Sequence, residues 1–216
     1  MKQYRCWLNI ALECIGWILV VVLVFLALAL FSVGFDLSAA ALNLPYFPLL
    51  GGLLFSVIMP VSAHNVYLPV YLSLGSTRKA VSFGLHLMSA VIAVGAILLA
   101  ALTCLPPGEI SRRLFPLLPA LFFTLLAVGC FGQLIGCVSA KHPKLGAILT
   151  GFTVFFVAGG SGGVGGWLSS GETLPALPTD TPYLALTLLA AAVAVILYSI
   201  EIPTQKRMLR SYEVKL

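Results

Sequence analysis

Apolar residues run for about twenty positions at a time along most of this 216-residue chain, and the polar residues gather in short gaps between the runs. The runs lie at about 11–33, 46–66, 80–104, 114–138, 145–166 and 182–200. A hydrocarbon core about 30 Å thick needs roughly 20 predominantly apolar residues to cross it as a helix. Within lipid the backbone must satisfy its own hydrogen bonds, which a helix does. The pattern predicts an all-α polytopic membrane protein with six transmembrane helices, forming a single domain over residues 1–216. The basic residues ahead of the first run look like the start of a signal peptide, but the run is too long and no small-residue cleavage site follows, so it is expected to be retained.

Composition agrees: 60% of the residues are hydrophobic and only 9% are charged. The placement of the charges adds orientation, because Lys and Arg in short loops favour the cytoplasmic side. With six spans, Lys2, Arg5, Arg78, Lys79, Lys141, Lys144, Lys206, Arg207, Arg210 and Lys215 fall on one side, and Arg112 and Arg113 on the other. Both termini are therefore expected in the cytoplasm. The net charge of +5 then reflects topology and the anionic lipid bilayer, not nucleic acid.

Candidate chemistry is sparse. The five cysteines, Cys6, Cys14, Cys104, Cys130 and Cys137, have no CxxC spacing and read as buried apolar thiols, not a disulfide framework. Three histidines without nearby carboxylates or paired cysteines make a poor metal site. There is no phosphate loop and no HExxH, so no enzymatic chemistry and no bound cofactor are expected of this chain. The stretch AGGSGGVGGW has glycines at small-xxx-small spacing, Gly159 with Gly163 and Gly162 with Gly166. That spacing suits close helix packing, and so many glycines also suit a flexible or re-entrant gate. In the fourth run Gly129, Gly132 and Gly136 share one face, with Gln133 beside them as a hydrogen-bonding group to a neighbouring helix. His64 and Asn65, with Pro60 and Ser62, put polarity into the second span, and His86 does so in the third. Such groups face a bundle interior or a wet cavity. His64, Asn65, Gly159, Gly162, Gly163 and Gly166 are thus candidates for a translocation path or gate.

The stretch YLPVYLSLGSTRKAVSFGLHL breaks the apolar pattern. Pro69 suits a first helical turn, Gly75 the position past a helix end, and Ser76 an N-cap for a helix starting at Thr77. A short helix over 67–74 is predicted, with Tyr67, Tyr71 and Leu74 on one stripe and Arg78 and Lys79 marking the boundary. Such a helix is either a docking peg or an interfacial turn with tyrosines at headgroup depth.

Ser73, Gly75, Thr77, Arg78 and Lys79 form an S-x-G-x-S/T-R-K pattern ahead of the third span. In this the chain resembles the small six-span permease subunits of ATP-binding-cassette exporters of Gram-positive bacteria, the type V exporter-like group. The resemblance covers the whole chain in layout and some fifteen residues in motif. It implies a short cytoplasmic coupling helix between spans 2 and 3, with Tyr67, Tyr71, Leu74, Gly75, Thr77, Arg78 and Lys79 docking on a separate ABC ATPase subunit that holds ATP and Mg. It further implies an interfacial elbow helix near residues 1–12, a second permease subunit, a bacterial cytoplasmic membrane, and a re-entrant hairpin near 159–181.

A permease without nucleotide motifs needs a contact through which a partner's closure reaches its spans, because only differential contact with two partner states shifts an equilibrium. The mostly apolar interior fits export of a hydrophobic or amphipathic substrate such as a peptide, lipid or drug. The rival readings are a vitamin-binding membrane subunit of an energy-coupling importer, and a non-transporting scaffold or immunity protein.

Overall fold

The computed structural model describes residues 2–32, 46–104, 114–169 and 183–211, and every regular element among them is helical. We number the helices α1 (Lys2–Ser32), α2 (Tyr46–Ser73), α3 (Arg78–Thr103), α4 (Leu118–Lys141, preceded by a single 3-10 turn at Phe115–Leu117), α5 (Pro143–Ser169) and α6 (Tyr183–Ser211). Among the described residues, five of these, α1 to α4 and α6, are long and apolar enough to cross a membrane, which is the character of a multi-pass membrane protein. In α5 the described apolar stretch, Pro143–Gly159, is shorter.

Helix α4 packs along both α2 and α6, α3 lies between α1 and α2, and α5 rests on α4 and α2. Glycines set several of these distances. Large side chains of α1 seat over them: Trp7 over Gly84, Ile15 over Gly95, and Ile18 over Gly51. The α2–α4 seam is closer still. A methyl at Gly132 would stand 2.6 Å from the Ser56 carbonyl oxygen, and one at Gly136 2.5 Å from the His64 ring, so the glycine face read from the sequence is where two backbones meet. The largest buried cluster joins Trp7, Ala11 and Cys14 of α1 to Leu68, Leu85, Met88, Cys137 and Met208. Residues near both ends of the chain therefore share one end of the bundle, which also carries Arg78, Lys141 and Lys206; we call it the basic end. Two smaller clusters, around Leu49, Ala100 and Leu118 and around Ala93, Ala96 and Leu125, fill the far end.

Two expectations change. No separate elbow is set off at residues 1–12: α1 is one helix of 31 residues, about 46 Å at ~1.5 Å per residue. No proline or glycine interrupts it before Gly16, and Trp7, Ala11, Cys14, Ile18 and Val22 bury one continuous stripe. Nor is the coupling segment a helix of its own. Tyr46–Ser62 passes through a wide π turn at Ala63–Tyr67, where the Leu68 amide donates to the Ala63 carbonyl, and continues as Leu68–Ser73. Pro69 has no amide to give and would crowd a regular helix. The wide turn just ahead of it lets the helix run on.

The end of α2 is sharply defined. Gly75 has φ +79°, the Ser76 amide donates to the Tyr71 carbonyl (2.9 Å) and the Gly75 amide to the Leu72 carbonyl (3.1 Å), a Schellman ending that a glycine adopts without strain. Thr77, one residue later than the expected Ser76, caps α3 by accepting from the Ala80 amide at 3.3 Å.

Candidate functional site

At the basic end, the last turns of α2 are tied to the rest of the bundle by polar and aromatic contacts. Tyr71 stacks on Trp7 with ring centroids 5.0 Å apart, and its hydroxyl contacts the Cys6 thiol. Fully buried His64 hydrogen-bonds the Pro60 carbonyl through Nδ1 (2.8 Å) and faces Cys137 Sγ of α4 through Nε2 (3.5 Å). Asn65 Nδ2 donates to Ser139 Oγ at 2.9 Å. His64 and Asn65 thus hold α2 to α4, while Tyr67 and Tyr71 face inward onto the core. What α2 leaves outside is Val66, Val70 and Leu74, the last 75% exposed.

A second polar group lies where α3, α4 and α6 meet. Ser82 Oγ donates to Gln205 Oε1 (2.5 Å), Gln205 Nε2 to Gln133 Oε1 (3.1 Å), and Gln133 Nε2 to Ser89 Oγ (3.0 Å) and the Leu85 carbonyl (3.2 Å). Both glutamines are buried, and each donor meets an acceptor, so three helices are joined without stranding an amide. Beside this chain His86 Nδ1 stands 3.5 Å from Glu201 Oε2, with the Tyr198 ring 5.1 Å from the imidazole. Glu201 is wholly buried and neither of its oxygens has a hydrogen bond among the described residues. Taking a carboxylate out of water is expensive, and one inside a span marks a functional position by default.

His86 also borders a cavity of about 720 Å³ between α3 and α6. Arg78 and Lys79 line it from α3, Lys206 and Arg210 from α6, and Phe83, Tyr198 and Ile202 form its apolar wall.

The structure therefore gathers the residues of the coupling segment, Tyr67, Tyr71, Leu74, Gly75, Thr77, Arg78 and Lys79, at one end, with His64 and Asn65 on the same helix. It separates them from Gly159, which has open space around it on α5. The backbone stays helical through Gly162, Gly163 and Gly166, whose surroundings lie outside the described residues, as does 170–182, where most of the expected hairpin falls. Glu201 and Gln205 escaped the sequence reading because the sixth apolar run ends at residue 200, one position before the glutamate. The signal was there: Tyr198, Glu201 and Gln205 fall at i, i+3 and i+7, and Ser82, His86 and Ser89 at i, i+4 and i+7. Comparisons with protein-family models, with curated proteins and with solved structures find no match to this chain.

Proposed function

We propose that this chain is the membrane-spanning permease subunit of an ATP-binding-cassette exporter, moved by a separate ATPase. Its six helices cross the bacterial cytoplasmic membrane with the basic end in the cytoplasm, as Lys and Arg placement favours. A second permease subunit completes the pathway, and the ATP and Mg reside on the partner. The observation that carries the reading is the exposed apolar edge Val66, Val70 and Leu74 on a helix end fixed to two other helices. At about 42 Å for 28 residues, α2 exceeds a hydrocarbon core about 30 Å thick, so its last turns reach past the lipid. Apolar side chains left in water there favour a protein partner. Trp7 on Tyr71 and Cys137 on His64 make the edge rigid, so a push on it reaches α1 and α4 together. In this geometry Leu74 and Val70 enter the ATPase, while Tyr67 and Tyr71 brace them from behind.

The buried pair His86 and Glu201 belongs to the basic half. The rival reading, a vitamin-binding importer subunit, would bind one small molecule tightly without an ATPase. The test is to tag the chain in its host, extract it in mild detergent and assay vanadate-sensitive ATP hydrolysis in the purified complex. Wild type should carry an ATPase, and Val70→Asp with Leu74→Asp should lose it while remaining in the membrane. A wild-type preparation without ATP hydrolysis would return the chain to the non-transporting scaffold or immunity class.

A further inference from the structure

The cavity between α3 and α6 has two ends of opposite chemistry. At one end Arg78, Lys79, Lys206 and Arg210 converge, and among the described residues no carboxylate pairs with any of them. Glu201, the carboxylate of this region, lies behind His86 and outside the cavity lining. Four like charges sharing one cavity repel, and an anion placed among them relieves that repulsion. At the other end the wall is apolar and continues along α6: Val195, Tyr198 and Ile202 share one stripe of the helix, with Val195 65% exposed. On α3, Phe83 lines the cavity at 56% exposure, and Val94, three turns along the same face, is 44% exposed. A free anion would use the cations and leave that groove empty. A soluble nucleotide would gain nothing from an aliphatic track running into the bilayer.

We propose that this cavity binds one acidic phospholipid, its phosphate among Arg78, Lys79, Lys206 and Arg210 and an acyl chain along Ile202, Phe83 and Val195. About 720 Å³ is within the ordinary range for a bound small molecule, roughly 300–1,000 Å³, and holds a headgroup with the start of its chains. Four cations around one headgroup make the preference for an acidic over a zwitterionic headgroup large. Because α3 and α6 are the two walls, the lipid clamps them on the outside of the glutamine chain that joins them inside. The proposal needs the bilayer but no ATPase, so it stands or falls separately from the exporter reading.

The experiment is native mass spectrometry of the full chain in nanodiscs made of equal phosphatidylglycerol and phosphatidylcholine. Wild type should retain one phosphatidylglycerol in preference to phosphatidylcholine by on the order of tenfold or more. Arg78→Gln with Arg210→Gln should bring that ratio close to one, whereas Arg207→Gln, outside the cavity, should leave it unchanged. Ile202→Trp keeps every charge, and hence the topology, but fills the apolar arm; it too should lower retention several-fold. Equal retention of the two lipids by wild type, or wild-type preference in either the paired-arginine or the tryptophan variant, would overturn the site. Displacement of the lipid by low-millimolar inorganic phosphate would do so as well, assigning the cations to a free anion.

Discussion

Glycine does opposite things on the α2-facing side of α4 and on α5 beyond its first turns, where Gly146 still packs against Ser139. In α4, Gly132 and Gly136 are pressed against α2, with the Ser56 carbonyl and the His64 ring occupying the space a methyl would need. In α5, Gly151 and Gly159 have nothing within 4 Å, and the same helix exposes Ile148, Phe152 and Phe155. Both helices advertise small-residue spacing, and the spacing alone does not tell them apart. What differs is the opposing residue: α2 brings Ser56, Pro60 and His64 to the glycines of α4, and among the described residues α5 has no such partner for Gly151 or Gly159. A small-residue face is a seam only where something small or concave meets it.

The strongest way to break this contrast is to fill the α4 seam. Gly132→Ala with Gly136→Ala should push α2 and α4 apart and prevent stable assembly, seen as aggregation on size-exclusion chromatography in detergent. Gly132→Ala alone, whose methyl meets backbone that cannot rotate away, should cost about 1–3 kcal/mol and lower the melting temperature by several degrees. A Gly132→Ala protein as stable as wild type would mean the seam is looser than drawn. Gln133→Leu sharpens the contrast, since it leaves Gln205 and Ser89 without their partner at the same helix junction; a loss of about 1–3 kcal/mol is expected. Adding Gln205→Leu should recover part of that loss, so a double-mutant cycle should give a coupling between the two positions. Smallest is the change on α5: Gly151→Ala and Gly159→Ala should leave the melting temperature unchanged or raised, because alanine favours helix by up to about 1 kcal/mol per residue. A marked loss in these two would place a second chain against α5.

Much of the fold was legible before any coordinates. Gly75 past the end of α2, the glycine face of α4 and the helix-bridging Gln133 all follow from spacing, because each depends on residues within two turns. The elbow and the separate coupling helix were not, since both rest on where a helix stops. Proline at position 69 is a fair start signal until a wide turn absorbs it, and a tryptophan near the N-terminus is a fair interfacial marker until Gly84 offers it a cavity. Glu201 was hidden for a related reason. A charge and Pro203 close the apolar run, yet α6 continues through both to Ser211 and buries the charge beside His86. The exposed stripe at the end of α2 was half legible: the periodicity grouped Tyr71 with Leu74, but only the position of Trp7 turns the tyrosine inward.

The order of donors along Ser82, Gln205, Gln133 and Ser89 matters for more than holding helices together. Hydroxyls and imidazoles can pass a proton along by taking one up on one side and releasing another, but a carboxamide has a fixed donor nitrogen and a fixed acceptor oxygen. Two amides in series therefore act as an electrical insulator. Glu201 makes no hydrogen bond among the described residues, and the amide chain beside it offers a proton held there no relay. A bundle can in this way carry buried polarity halfway through a membrane without short-circuiting the gradient across it.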